Sequence, residues 1–110
     1  MDIWENRQGT VIILKVQGKL DAATSPLFEE RVLPMLEKGE KNFMIDFSSL
    51  DYISSAALRR LLVLAKGANR AGGKVVLVSL QSHIREIFDM AGFTQLFPMY
   101  ASPEEAMRSF

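Results

Sequence analysis

The sequence predicts an α/β fold: a single domain over residues 1–110, with a mixed, mostly parallel sheet of four to five strands and about four helices. Three observations predict it. Apolar β-branched runs alternate with amphipathic stretches along the chain, and such alternation builds right-handed βαβ units. Two of the runs are apolar nearly throughout, as strands buried on both faces are. The length of 110 residues suits one domain.

Four runs of residues have the composition of strands. Residues 10–16 are β-branched and apolar, and Gly18 ends the run. Residues 2–6 are expected to pair with this run as a hairpin that turns near Gly9. Pro98 places the final strand at a sheet edge, because proline has no amide proton to donate to a neighbour. The remaining strands are predicted at residues 42–47, 74–80 and 96–100.

Each of four amphipathic stretches begins with a serine, whose side chain at a helix start accepts a hydrogen bond from the free amides of the first turn. A glycine follows the first three stretches, where the left-handed conformation ends a helix. The predicted helices run from Ser25 to about Lys38, from Ser54 and Ser55 to near Gly72, from Ser82 to Gly92, and onward from Ser102.

The composition excludes several classes of site. The chain has no cysteine and one histidine, which rules out thiolate metal sites, cysteine nucleophiles and histidine-rich metal centres. Its 13 basic residues balance 13 acidic ones, so it lacks the positive field expected of a nucleic-acid or membrane-surface binder. No stretch resembles a signal peptide or a membrane helix. We expect a cytoplasmic monomer that binds no nucleic acid and does not insert into membranes.

Three carboxylates provide the alternative of a small enzyme or nucleotide binder. Asp21, Asp46 and Asp51 lie at the ends of predicted strands, where they would meet at one edge of the sheet as a cation site. Aspartate is also a common turn residue, because its side chain accepts hydrogen bonds from nearby amides. We favour the turn interpretation for Asp21 and Asp51, since no acid–base pair or phosphate-binding loop accompanies these residues. The prediction is therefore no enzyme, no cofactor and no metal.

The segment that joins residues 42–47 to the second helix carries two adjacent serines, Ser54 and Ser55. One interpretation is structural: Ser54 caps the helix and contributes about 1 kcal/mol. The other is functional, because a hydroxyl after a parallel strand is exposed at the carboxyl edge of the sheet, where α/β proteins place their sites. The helix dipole and free amides would accommodate a phosphate there. Phosphorylation would then change the surface and leave the domain folded.

These residues also carry a resemblance to a known family. Residues 16–27 (VQGKLDAATSPL) and 45–58 (IDFSSLDYISSAAL) resemble the opening strand-turn-helix and the central signature of the STAS domain. The resemblance is strongest to the stand-alone bacterial anti-sigma factor antagonists, and it covers nearly the whole chain. It implies a STAS-like single domain.

The resemblance implies a regulatory cycle. An unphosphorylated antagonist binds an anti-sigma factor that is also a serine kinase, which phosphorylates the antagonist and releases it. A PP2C-type phosphatase restores the antagonist. Alignment at Leu58 places the phosphorylated serine at Ser55, with Ser54 as the alternative acceptor. Ser54 then stands where many members have aspartate, Ala56 where they have serine or threonine, and Ala57 where glycine is usual.

Within the same family an alternative role is a constitutive accessory subunit, on the ATPase of a lipid-transport ABC system or in a larger signalling assembly. The surface of the second predicted helix would then be an interface that is not phosphorylated. For the antagonist, the expected partner-binding surface surrounds the acceptor serine. Its residues are Asp21, Ala22, Ser25, Tyr52, Ser54, Ala56 and Arg59.

Overall fold

The computed structural model describes all 110 residues and confirms the α/β class and the predicted order of elements. One sheet contains five strands, and four α-helices and a short 3₁₀ turn at Thr94–Leu96 complete the fold. The strands are β1 (Asp2–Gln8), β2 (Val11–Leu20), β3 (Asn42–Ile53), β4 (Lys74–Val78) and β5 (Met99–Tyr100). The helices are α1 (Ser25–Glu37), α2 (Ser55–Arg70), α3 (Ser82–Ala91) and α4 (Pro103–Met107).

The strands lie side by side in chain order, β1-β2-β3-β4-β5. The first pair is an antiparallel hairpin in which Gln8 faces Val11, so the turn contains only Gly9 and Thr10. Gly9 has a φ of 61°, the positive value that two-residue hairpin turns require. All other neighbours are parallel, and a helix forms each connection between them.

The two faces of the sheet are covered unequally. On one face, α1, α2 and α3 pack over a cluster of 22 buried apolar residues. Phe88 of α3 contacts Phe97 edge-on at 5.9 Å between ring centres, which anchors α3 over the end of the sheet. The other face has a smaller cluster of five buried residues, in which Ala106 of α4 packs on four residues of the strands. No helix combines the length and the apolar composition needed to cross a bilayer.

Two helix starts form as the sequence predicts, and so do the three helix ends at Gly39, Gly72 and Gly92, each of which has a positive φ. The hydroxyl of Ser54 accepts a hydrogen bond from the amide of Ala57 at 3.1 Å, and Ser102 caps α4 in the same way. Gly92 ends α3 with a φ of 76°. These local signals succeed because each satisfies backbone groups that a helix end leaves free.

The prediction that Ser25 caps α1 is wrong. Ser25 is the first helical residue, its side chain is 1% exposed, and its hydroxyl has no hydrogen-bond partner. The carboxylate of Asp21 instead accepts from the amides of Ala23 and Thr24. Because this turn closes before the helix begins, Ser25 points into the protein and not toward the carboxyl edge of the sheet.

The last strand is shorter than predicted. Residues 94–96 form the 3₁₀ turn, Phe97 is buried, and only Met99 and Tyr100 pair with β4. Pro98 accepts from the amide of Leu77 and does stand at the outer edge, as its missing amide requires. An apolar run containing two aromatic residues therefore divides between the core and an edge strand.

We predict that Gly73→Ala destabilises the protein by about 1–3 kcal/mol, the usual cost of overpacking. A Cβ at position 73 would lie 1.9 Å from the carbonyl oxygen of Lys41, which is backbone and cannot turn away. Gly67→Ala is the control, because its Cβ would meet only the flexible end of Leu36 at 3.3 Å and alanine favours the helix. Urea denaturation measures both. Equal stability of the two variants would contradict the close approach of Gly73 to the backbone of Lys41.

Candidate functional site

The candidate site lies at the carboxyl end of β3, which extends well beyond β4. β3 has 12 residues and β4 has five, and their pairing ends at Asp46 opposite Val78. Beyond Asp46, the only strand beside β3 is β2, up to the pair Leu20–Ile53. The segment 48–53 therefore projects past the end of β4. The loop that leads into α2 is held at this carboxyl edge of the sheet, which we call the rim.

Side chains replace the missing strand on the open side of β3. Gln81 donates from its Nε2 to the carbonyl oxygens of Ser48 at 3.0 Å and Leu50 at 2.9 Å. The Nε2 of His83 lies 2.9 Å from the carbonyl oxygen of Asp51. These contacts satisfy backbone carbonyls that would otherwise have only water as partner, and they tie the start of α3 to the strand that ends at the site.

Two irregularities in the pairing of β2 with β3 set the direction of the side chains near the site. The register shifts between Lys15 and Gln17 and again between Gly18 and Lys19, and each time β3 gains a residue. Such bulges redirect side chains and are frequent beside functional sites. After the second shift Ile53 is buried, whereas Tyr52 is 45% exposed. The tyrosine ring is thus presented at the rim.

The two adjacent serines have different environments. Ser54 is half-buried and holds the turn: its amide donates to the carbonyl of Leu20 at 2.9 Å, and its hydroxyl caps α2. Ser55 is the first residue of α2, is exposed, and has a hydroxyl without a hydrogen bond inside the protein. The first turn of α2 contains no acidic residue. A free hydroxyl thus stands at the positive end of a helix dipole.

The β2–α1 turn lies beside this helix start, because Ser54 is bonded to Leu20 and Asp21 follows directly. The hydrogen bond from the amide of Thr24 holds the pKa of Asp21 below its ordinary value, with further help from the amide of Ala23 and against the effect of desolvation. The carboxylate is therefore a structural acceptor that fixes the turn. Ala22 is exposed at its tip.

A shallow depression borders Ser55 on the side of α3. It has a volume of about 260 Å³, and Met90, which forms part of its wall, is 89% exposed. Exposed methionine beside exposed tyrosine is typical of surfaces that bind other proteins. The lining residues are Tyr52, Ile53, Ser55, Ile87, Met90 and Ala91.

Most of the residues expected at the partner-binding surface lie at this rim. Asp21 and Ala22 are in the β2–α1 turn, and Tyr52, Ser54, Ala56 and Arg59 are at the end of β3 or in the first turns of α2. Ser25 is excluded from the surface by its burial.

The three strand-end carboxylates do not gather into a cation site. Asp21 accepts from its own turn, Asp46 accepts from the amide of Ser48 at 2.8 Å, and Asp51 is exposed. No group of three or more potential ligand side chains is close enough to hold a metal ion. The turn interpretation is confirmed for Asp21 and is wrong for Asp51, which lies within β3.

Sequence reasoning missed the contributions of Gln81, His83 and Met90. Nothing in the sequence shows that β4 ends seven residues before β3, so the need for side-chain donors at residues 81 and 83 was hidden. Met90 did leave a signal: it lies off the apolar stripe that Ile84, Ile87 and Phe88 define, and an apolar residue on a polar face suggests a contact surface.

We predict that Ser54→Ala lowers the free energy of unfolding by about 1 kcal/mol, because it removes the cap of α2. Ser55→Ala is the matched control at the next residue, and we expect its stability to remain within about 0.5 kcal/mol of the wild type, as for most surface changes. Urea denaturation followed by circular dichroism checks both. A larger loss in Ser55→Ala than in Ser54→Ala would reverse the assigned roles.

A second prediction concerns acid stability. Because folding lowers the pKa of Asp21, its carboxylate stabilises the protein above its unfolded-state pKa, and that contribution is lost as pH falls through the folded value. Asp21→Asn keeps an acceptor oxygen but cannot titrate. We expect the stability advantage of the wild type over Asp21→Asn to shrink between pH 7 and about pH 3. Parallel denaturation midpoints across that range would contradict this.

Comparison with known proteins places this geometry in a family. The STAS domain family matches residues 5–106. BtrV of Bordetella bronchiseptica, provisionally named an anti-sigma factor antagonist, is 37% identical over 100 residues that cover 91% of this chain and 86% of BtrV. A Thermotoga maritima protein of known structure, TM1081, superposes with a TM-score of 0.91 at 22% identity, covering 97% of this chain and 92% of its own.

A second similar structure exists in two chemical states. The anti-sigma factor antagonist SpoIIAA in its unphosphorylated form has a TM-score of 0.76 at 15% identity, covering 98% of this chain and 96% of its own. The phosphorylated form of SpoIIAA, from Bacillus, has a TM-score of 0.75 at the same identity. At these identities the likeness concerns the fold. Together with the match over residues 5–106, it shows that the chain belongs to the STAS domain family.

Proposed function

We propose that this chain is an anti-sigma factor antagonist controlled by phosphorylation of Ser55. In the unphosphorylated state it binds an anti-sigma factor that is also a serine kinase and so frees a sigma factor. Phosphorylation ends the complex, and a PP2C-type phosphatase regenerates the binding state in the cytoplasm. The observation that carries the proposal is the exposed, unbonded hydroxyl of Ser55 at the first position of α2.

The local geometry favours Ser55 over Ser54 as the acceptor. A kinase must bring the hydroxyl oxygen into line with the γ-phosphate of its nucleotide. The oxygen of Ser54 is engaged by the amide of Ala57, and the residue is half-buried against the end of β2. Phosphorylation of Ser54 would require the cap to open, whereas Ser55 is accessible with the helix intact.

A phosphate on Ser55 would leave the domain folded but would change the surface that a partner meets. It adds roughly −1.5 to −2 charges at neutral pH, and the unneutralised first turn of α2 favours that charge. The same group stands on the wall of the depression shared with Tyr52 and Met90. A partner that packs its apolar groups there would have to desolvate the dianion, which is costly.

The relatives support this reading independently of the geometry. BtrV and SpoIIAA are both named as anti-sigma factor antagonists, and SpoIIAA has been solved in phosphorylated and unphosphorylated forms of the same fold. A STAS domain can thus carry a phosphate while its architecture persists. The proposed switch requires only that property.

The proposal is tested by incubating the protein and ATP with candidate anti-sigma factor serine kinases from the source organism. We expect mass spectrometry to find phosphate on Ser55, and Ser54→Ala to be labelled as well. Ser55→Ala should remain bound to the kinase in the presence of ATP. Phosphate absent from both serines would remove the proposed switch.

A phosphomimetic variant separates charge from folding. Ser55→Glu should bind the kinase at least about tenfold more weakly, a loss of about 1.4 kcal/mol, with a melting temperature within a few degrees of the wild type. Ser82→Glu is the matched control, because Ser82 is the exposed first residue of α3. Equal weakening by both variants would show a general effect of charge and contradict a role specific to Ser55.

A further inference from the structure

Helix α2 has a charge distribution unlike that of the rest of the molecule. In a chain whose formal charges cancel, α2 carries four basic residues and no acidic one. Arg60 is neutralised by Glu29 of α1 at 2.8 Å, whereas the other three form no salt bridge. The four residues are Arg59, Arg60, Lys66 and Arg70.

The three unpaired cations share one face of α2. Arg59, Lys66 and Arg70 are separated by seven and four residues, which places them on one stripe of a helix with 3.6 residues per turn. Val63 lies between them on the same stripe and is 61% exposed. We call these four residues the cationic face. It extends over about 16 Å of the helix at 1.5 Å per residue.

An apolar groove runs beside the cationic face, between α1 and α2. It has a volume of about 160 Å³, and the Glu29–Arg60 salt bridge crosses one side of it. Leu33 at its outer wall is 39% exposed, so the groove is open to solvent. Its apolar lining is Phe28, Val32, Leu33, Val63 and Leu64.

We propose that the cationic face and this groove together bind an acidic amphipathic segment of the anti-sigma factor, an inference that rests on the proposed function. Three unpaired cations complement carboxylates at helical spacing, and the groove accepts one or two apolar side chains from the same segment. A nucleic acid would use the cations and leave the apolar groove empty. Opposite potentials of this kind accelerate association and select the partner.

The position of Ser55 links this surface to the switch. Ser55 precedes Arg59 by four residues, the spacing at which a negative group nearer the N-terminus pairs best with a cation on a helix. A phosphate on Ser55 is therefore a competitor for Arg59. Phosphorylation would neutralise the first cation of the face and weaken the hold on an acidic partner, in addition to its effect at the depression beside Tyr52.

The test measures binding of the same kinase to chains that carry Ser55→Ala, so that no phosphorylation occurs. The double reversal Arg59→Glu/Lys66→Glu should weaken binding about tenfold or more at low salt and flatten its salt dependence. Lys15→Glu/Arg108→Glu is the matched control, with the same charge change at exposed residues away from α2. Leu33→Ser should weaken binding without altering the salt dependence. Circular dichroism and the melting temperature verify that each variant is folded.

The outcomes separate this inference from the proposed function. Equal affinity of the two double reversals, with tight binding of the parent chain, would overturn the docking site and leave the antagonist function standing. No binding of the parent chain would overturn both. The Arg59→Glu/Lys66→Glu variant could instead keep its affinity for the kinase and lose binding to phosphatidylserine vesicles or to a single-stranded oligonucleotide. That result would reassign the cationic face to the anion concerned.

Discussion

The structure around the candidate site depends on one mismatch, the difference in length between β3 and β4. Parallel strands of equal length would end together, and the loop into α2 would lie among neighbouring loops. Here pairing with β4 stops at Asp46, and the remainder of β3 is held by β2 and by side chains. The carbonyls left open by the missing strand are bonded by Gln81 and His83. The strand that leads into α2 is consequently held by hydrogen bonds while the helix start is exposed, as the proposed phosphorylation of Ser55 requires.

In the proposed switch, the adjacent serines Ser54 and Ser55 divide two demands that one residue could not meet. A capping hydroxyl must accept from the helix amides, and a phosphate acceptor must be free for nucleotide chemistry. Ser54 meets the first demand through Ala57, and Ser55 is left free for the second. Because capping contributes only about 1 kcal/mol, the arrangement matters less for global stability than for holding the helix start in one geometry. A fixed geometry is what a kinase and a phosphatase must both recognise.

Local signals in the sequence were sufficient for most of the fold. Ser102, Gly92 and Gly9 each mark a boundary because each satisfies a requirement of the backbone at that residue. The serine pair was identified for the same reason. The prediction for Ser25 fails because an acceptor outside the helix can bind the amides of the turn that precedes it. Asp21, four residues earlier, takes the amides of the turn, and no local pattern distinguishes that arrangement from a serine cap.

The other contacts that could not be predicted are non-local. Gln81 lies 31 residues from Leu50 and His83 lies 32 residues from Asp51, so their roles depend on strand lengths that pairing alone decides. Charge shows the same limit. A net charge of zero argues against a basic binding surface only if acidic and basic residues are evenly distributed over the protein. Here acidic residues lie on α1 and α4, whereas α2 has none. Salt screening limits the reach of exposed charges to about 10 Å, so the proposed partner at α2 would meet the local excess of cations and not the average charge of the chain.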